Sequence, residues 1–280
     1  MADTISSWLS TTVHRLETAG IETPRLDALV LLSDELGCDK AWLLAHPEHA
    51  LQGSVVKNLN TNVTQRAQHV PLAYIRGKVE FYGREFVVNE HVLVPRPESE
   101  AMIVLLKRSM LAEPHTAVID IGTGCGALAI TAKLECPASK IAATDIDNEC
   151  LKVAAQNAAS LGADISLLQG DLLEPFQGSK LQIRNSIILA NLPYVPENYP
   201  VNTAATHEPE LALYGGGDGL AVYRRLFEQI NEHGLQPYCI ITESLEHQHE
   251  MLTEMAHSHG FDHVTTNGLA QCFARPTRFK

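Results

Sequence analysis

The stretch A-V-I-D-I-G-T-G-C-G-A-L-A-I-T-A-K-L-E, Ala117 to Glu135, decides the fold. A-V-I-D-I reads as a short buried strand and A-L-A-I-T-A-K-L-E as a helix. Between them lies the turn D-I-G-T-G-C-G-A, from Asp120 to Ala127. Gly122, Gly124 and Gly126 let a backbone turn tightly and approach a ligand closely. Asp120, Thr123 and Cys125 complete this candidate cofactor loop. An acid at the end of the next strand, Asp145, follows about twenty residues on, where a carboxylate accepts from ribose hydroxyls. A glycine-rich turn alone also occurs as an ordinary strand-to-helix connection. The strand before it, the helix after it and Asp145 together point to an adenosine-type cofactor. The spacing G-x-G-x-G, rather than G-x-G-x-x-G, leans from NAD toward S-adenosylmethionine.

Outward from this unit the pattern keeps alternating. K-I-A-A-T-D, I-S-L-L-Q, S-I-I-L-A-N and P-Y-C-I-I-T read as strands. Helices are expected from Asn148 to Leu161, Asp218 to Glu232 and Glu246 to His257, and F-D-H-V-T-T and Q-C-F-A-R-P as closing strands. Strand–helix alternation of this kind implies a doubly wound α/β sheet. All-apolar strands such as S-I-I-L-A suit parallel pairing with both faces covered. The first 70 or so residues read instead as helices: Leu26, Leu29, Val30, Leu32 and Leu36 keep an apolar stripe that Gly37 ends. Lys78–Tyr82 and Glu85–Asn89 flank Gly83 as a β-hairpin, and a helix is expected to start near Pro97. The organisation expected is a helical domain over 1–70, a hairpin linker over 71–96 and an α/β domain over 97–280.

Two further strand ends carry candidate chemistry. Gly170-Asp171-Leu172 closes the third strand, where Asp171 suits an adenine amino group and Leu172 its ring; a turn that happens to contain Asp remains an equal reading. The fourth strand ends in N-L-P-Y, Asn191 to Tyr194. Ligands of open α/β sheets gather at the carboxyl ends of strands. A planar amide or nucleobase nitrogen is a poor nucleophile, because its lone pair is delocalised. An enzyme alkylating it must hold it in line and accept its hydrogens. Asn191 Oδ1 and the Leu192 carbonyl are suited to accept, Pro193 to stiffen the turn, and Tyr194 to cover a flat substrate group. The competing reading, an Asx-Pro turn closing a strand, is weakened by its place in a cofactor-binding sheet.

Composition narrows the function. Hydrophobic residues make up 45% and charged residues 19%, a balance that buries a sizeable core. The net charge of -12 opposes tight binding to a phosphate backbone. Arg275, Arg278 and Lys280 at the C-terminus read as a solvated tail. Six cysteines without a C-x-x-C pair indicate reduced thiols and a cytoplasmic setting, with no metal site. His247, His249, His257 and His259 read as a polar helix face rather than a metal site. The N-terminal residues lack the apolar run of a secretory signal, and no stretch approaches a membrane span.

Three stretches together resemble the HemK-type (PrmC-like) release-factor glutamine methyltransferases. They are P-L-A-Y-I-R-G-K-V-E-F-Y-G-R-E-F-V-V-N-E-H-V-L-V-P-R-P-E-S-E (Pro71–Glu100), the Asp120–Gly126 loop, and N-L-P-Y followed by E-P-E-L-A-L-Y-G-G-G-D-G-L (Glu208–Leu220). The likeness spans residues 71–275, and the V-P-R-P-E-S-E stretch is its most specific part. It implies a class I methyltransferase domain with a Rossmann-like, seven-stranded, mostly parallel sheet behind a helical substrate-recognition domain. It implies S-adenosylmethionine as methyl donor and, as substrate, the glutamine of a Gly-Gly-Gln motif in peptide-chain release factors. By position, Asp120, Gly122–Gly126, Asp145, Asp171, Leu172 and Asn191 would contact the cofactor, and Asn191–Tyr194 the glutamine amide. A monomer with a release factor as its partner, and no nucleic acid or membrane, goes with this expectation. Leu192 stands where the family usually has proline, and Ser99 where it usually has threonine.

Three other functions stay open at this stage. N-L-P-Y is also typical of adenine methyltransferases acting on nucleic acid, which would need a basic groove. A glutamine methyltransferase acting on a ribosomal protein shares the chemistry. A non-catalytic protein that kept the cofactor fold is the third, and the intact Asp145 and Asn191 argue against it.

Overall fold

The computed structural model describes residues 3–112, 117–177 and 185–276; the expectations for Arg278 and Lys280 lie outside them. The chain forms two compact units. One runs up to Lys78 and includes Val201–His207; the other comprises Val79–Pro200 and the residues from Glu208 on.

The first unit is helical. Helix α1 (Ile5–Thr18) starts at a capping box in which Ser7 N donates to Thr4 Oγ1 and Thr4 N donates to Ser7 Oγ. Helix α2 (Pro24–Leu36) has proline in its first turn and ends at Gly37 in the left-handed region. Helices α3 (Lys40–Ala45), α4 (Gly53–Ala67) and α5 (Leu72–Arg76) complete it. Leu16, Ala28, Leu32 and Leu59 are fully buried between α1, α2 and α4. Trp8 joins this core and donates from Nε1 to Asn60 Oδ1 at 3.1 Å. Asp27, also buried, is neutralised by Arg66 at 2.6 Å.

The second unit opens with the hairpin β1 (Lys78–Phe81) and β2 (Arg84–Val87), whose Phe81 and Phe86 meet edge to face. A single 3-10 turn, Pro97–Ser99, leads into α6 (Glu100–Ala112). Then come β3 (Ala117–Ile121), α7 (Ala127–Glu135), β4 (Lys140–Asp145), α8 (Asn148–Leu161), β5 (Ser166–Gln169) and β6 (Ile187–Ala190). Helices α9 (Glu210–Leu213) and α10 (Ala221–Glu232), β7 (Cys239–Glu243), α11 (His249–Ser258), β8 (Asp262–Asn267) and β9 (Ala270–Ala274) follow. Helix α10 begins three residues later than the sequence pattern suggests. Asp218 accepts from Leu220 N at 3.0 Å, and Gly219 sits at φ 81°, outside helical space.

Strands β3 to β9 form one seven-stranded sheet, as the alternating pattern and the family resemblance implied, and its order is β5-β4-β3-β6-β7-β9-β8. Pairing is parallel from β5 to β7, and only β9 runs against its neighbours. The order reverses at β3, which lies between β4 and β6; the carboxyl ends of β3 and β6 therefore open side by side, the place where such sheets bind ligands. Strands β3, β6 and β7 are buried along their whole length, which explains their continuous apolar runs. Among the described residues no helix is long and apolar enough to cross a membrane.

Asn157 of α8 fastens the hairpin to the loop after β3. It accepts from Val87 N at 2.8 Å and donates to the carbonyls of Val87 and Cys125, each at 2.9 Å. Each buried backbone group left without a partner costs on the order of 1–3 kcal/mol. Asn157→Ala should therefore lower unfolding stability by about 2–4 kcal/mol in urea titration. A loss under about 0.5 kcal/mol would show that the tie is dispensable.

Candidate active site

The loop from Asp120 to Gly126 is built by hydrogen bonds among strand ends. Gly122 N and Thr123 N both donate to Thr144 O at 2.9 Å, and Gly126 N donates to Thr123 O at 2.9 Å. Gly122, Gly124 and Gly126 all have positive φ. A Cβ on Gly126 would lie 2.8 Å from Ile130 Cδ1 and close to Ala154, so that glycine allows the loop to seat on α7 and α8. A Cβ on Gly124 would meet nothing within 4 Å; this side of the loop faces open space.

Asp120 is buried beneath the loop. Its Oδ2 accepts from Thr123 Oγ1 at 2.6 Å and from Ala129 N at 3.2 Å, while Oδ1 has no partner. Burial pushes its pKa up to about 7, against the pull of the Thr123 and Ala129 hydrogen bonds. Asp145 ends β4 beside it. Its Oδ2 accepts from Gly124 N at 2.9 Å and its Oδ1 from Asp147 N at 3.0 Å. Each oxygen keeps a lone pair for a further donor. Burial raises the Asp145 pKa as well. Gly170 N donates to Asp145 O at 3.0 Å, which brings the end of β5 to the same place. Leu172 follows with φ 52°, its carbonyl accepting from Thr144 Oγ1 at 2.9 Å. Asp171 forms an ion pair through Oδ2 with Arg225 of α10. Gln229, also on α10, steadies this turn by accepting from Leu173 N at 2.8 Å.

The N-L-P-Y turn leaves β6 next to the loop. A Cβ on Gly122 would lie 3.2 Å from Leu192 Cδ2, so the Leu192 side chain, only 2% exposed, packs directly under the loop. Leucine at this position therefore adds to the core. Asn191 Nδ2 donates to Ser99 Oγ at 2.9 Å, and Tyr194 OH donates to Glu243 Oε1 at 2.9 Å. Tyr223 of α10 is fully buried; its hydroxyl donates between Ala190 O, 2.8 Å away, and Glu243 O, 2.6 Å away, and Leu192 N donates to it at 3.4 Å. Gln248 Nε2 donates to Tyr194 O at 2.8 Å and to Asp218 O at 2.9 Å. A Cβ on Gly219 would lie 2.1 Å from Tyr194 O, and one on Gly215 2.4 Å from Pro193 O. The L-Y-G-G-G-D-G-L stretch is thus glycine-rich because it lies against the backbone of N-L-P-Y.

All the site residues expected from sequence stand at the adjoining carboxyl ends of β3, β4, β5 and β6. Sequence reading missed Tyr223, Glu243, Gln248 and Gln229, which hold those ends together. An acid closing a central strand, as Glu243 closes β7, was the signal available. Arg96 pairs with Glu208, whose Oε2 accepts from Val94 N at 3.0 Å. This joins the V-P-R-P-E-S-E and E-P-E-L stretches within the second unit. Glu98 lines a separate cleft with Glu246 and Asn267. Among the described residues no group of three or more metal-ligating side chains converges.

Sheet order, glycine loop and N-L-P-Y turn together define a class I S-adenosylmethionine-dependent methyltransferase. Solved structures agree on the fold: the chain superposes on the human Mettl16 catalytic domain, determined with an RNA hairpin, with TM-score 0.54 at 12% identity, covering 84% of this chain and 86% of that one. A methyltransferase from Pyrococcus furiosus gives TM-score 0.50 at 19% identity, over 70% and 90%. The PrmC N-terminal domain model matches residues 7–77 and the methyltransferase small domain model residues 99–213. The release factor glutamine methyltransferase of Bacillus subtilis is 40% identical over 222 residues, 77% of this chain and 76% of that protein. The one from Koribacter versatilis is 35% identical over 233 residues, 82% of each. The chain belongs to the release factor glutamine methyltransferase family.

Asp120 yields a pH prediction. Its folded pKa of about 7 lies above its ordinary value of 3.8, so the folded state holds the proton more tightly than the unfolded chain. Stability from this group is complete at low pH and falls as pH rises from about 4 to about 7. The slope is at most about 1.4 kcal/mol per pH unit. Asp120→Asn should flatten this decline in urea titrations run across the range; an unchanged pH slope would remove the assignment.

Proposed function

We propose that this protein transfers the methyl group of S-adenosylmethionine to the side-chain amide nitrogen of the glutamine in the Gly-Gly-Gln motif of peptide-chain release factors. The observation that carries the reading is the N-L-P-Y turn held beside the glycine loop, with Asn191 anchored to Ser99 and Tyr194 to Glu243. The relatives named as release factor glutamine methyltransferases support the substrate. The helical unit is read as the substrate-recognition domain, the hairpin of residues 71–96 as the linker, and the rest, from residue 97, as the methyltransferase domain. A cytoplasmic monomer acting on a protein, without nucleic acid or metal, fits this function.

The residues present suit the cofactor. The open side of Gly124, the unpartnered Asp120 Oδ1 and the remaining lone pairs of Asp145 provide room and acceptors for a cationic, ribose-bearing ligand. Asp120, Gly122, Thr123, Gly124, Cys125, Gly126, Asp145, Asp171, Leu172 and Asn191 would hold it. When bound, the cofactor supplies an electrophilic methyl group on a sulfonium.

The chain's own residues do the rest. Asn191 Oδ1 and the Leu192 carbonyl accept the two amide hydrogens of the glutamine. That fixes the nitrogen in line with the methyl and draws electron density toward it. Pro193 limits the turn's freedom, and Tyr194 covers the planar amide. The methylated amide nitrogen, made strongly acidic, releases one proton to solvent, so positioning replaces a dedicated base.

Asn191→Ala should reduce kcat on the order of 100-fold or more, as loss of one preorganised hydrogen-bonding group does. Affinity for S-adenosylmethionine, read by calorimetry, should change by less than about 5-fold, which is under about 1 kcal/mol. Turnover near that of the unsubstituted protein would contradict the role given to Asn191.

A further inference from the structure

We infer that Arg225 of α10 sets the base specificity of the cofactor site, by holding the Asp171 carboxylate where it accepts from the amino group of an adenine. The inference rests on the proposed role of Asp171 and goes beyond it. Arg225 is a positioning residue that acts through that acid.

The sheet alone gives the Asp171 turn little support. Strand β5 is an edge strand, and its ladder with β4 ends at the pair Asp145–Gln169. Beyond that pair, Gly170 N donates to Asp145 O at 3.0 Å and Thr144 Oγ1 donates to Leu172 O at 2.9 Å. Leu172 sits at φ 52°, a left-handed conformation that a leucine keeps only where its surroundings hold it.

Helix α10 supplies the missing grip. Gln229, 7% exposed, bridges the turn with both ends of its amide. Its Oε1 accepts from Leu173 N at 2.8 Å, and its Nε2 donates to Asp171 O at 3.4 Å. Arg225 lies four residues earlier, on the same face of the helix. Its Nη2 pairs with Asp171 Oδ2. One helix face therefore holds both the backbone and the side chain of the turn. The Asp171 side chain is mostly covered, at 18% exposed, while that of Arg225 is 54% exposed.

The chemistry follows from that pairing. A carboxylate on a single methylene moves among several rotamers unless a partner holds it. The pair is made through Oδ2, so Oδ1 is the oxygen whose lone pairs serve a ligand. A carboxylate oxygen only accepts, and the 6-amino group of adenine donates. A site built to bond an N–H rejects the analogue that lacks it, because its own polar group is then left unpaired. Without Arg225 the carboxylate swings away, and the site loses its means of telling adenine from a base without the amino group. The ion pair is exposed on the Arg225 side and adds little to folding, so its removal reads out on binding.

The test is calorimetric binding to the full, unliganded chain, with S-adenosylhomocysteine and with the same molecule lacking the 6-amino group. The unsubstituted protein should prefer S-adenosylhomocysteine by about tenfold or more, the range for a hydrogen bond to a charged group. Asp171→Ala should abolish the preference. Arg225→Ala should cut it about 5-fold, by weakening S-adenosylhomocysteine while the analogue changes by less than about 2-fold. Arg225→Lys, which keeps a cation, should recover part of the preference. An Arg225→Ala protein that keeps the full preference, or that loses affinity for both ligands alike, would overturn the inference. If Asp171→Ala removes the preference and Arg225→Ala keeps it, the acceptor role of Asp171 stands and Arg225 alone loses its part. If Asp171→Ala keeps the preference, the reading of Asp171 falls first and the inference with it.

Discussion

The hydroxyl of Tyr223 is the atom on which the site's geometry depends. It joins Ala190 at the end of β6, Glu243 at the end of β7 and the amide of Leu192 in the turn between strand and site. Two adjacent parallel strands leave their last carbonyls without ladder partners, and buried carbonyls need donors. One phenol from α10 meets that need from within the core. The backbone of N-L-P-Y is then closed from the other side by Gln248 and by the close approach of Gly215 and Gly219. Those contacts leave the Asn191 side chain and the Leu192 carbonyl little freedom, and preorganisation of this kind stabilises a transition state without reorganisation during reaction.

The electrostatics follow from the same packing. Asp120, Asp145 and Glu243 are all buried near strand ends, and burial raises the pKa of each. Asp120 and Asp145 also repel each other, and an acid held away from water opposes its own ionisation and favours a cation that reaches it. A sulfonium cofactor bearing an amino group suits that field. The net charge of -12 opposes non-specific attraction to a phosphate backbone. The likeness to a methyltransferase solved with an RNA hairpin concerns the fold, and at 12% identity it does not extend to substrate.

Much of the fold was legible because its signals are local. The G-x-G-x-G turn, the apolar runs of β3, β6 and β7 and the repeated alternation of strands and helices each span only a few residues. Sequence also located the glycine loop and N-L-P-Y at strand ends. What it did not reveal is long-range. Tyr223 lies 33 positions from Ala190, Glu243 49 from Tyr194, and Asn157 70 from Val87. A buried Tyr or Gln on an amphipathic helix looks like any other half-polar core residue until the strand ends it meets are known. The start of α10 was read too early for a related reason: Gly219 takes a left-handed conformation to pass Tyr194 O, a constraint invisible in helical periodicity. Asp171 shows the opposite limit, its position anticipated and its ion pair with Arg225 not.

The most direct test is transfer of labelled methyl from S-adenosylmethionine to a purified peptide-chain release factor, run beside the same factor with the glutamine of its Gly-Gly-Gln motif changed to alanine, and beside ribosomal RNA. The account predicts label on the unaltered factor and on neither of the others. Label on the RNA, or equal label on the alanine variant, would contradict it.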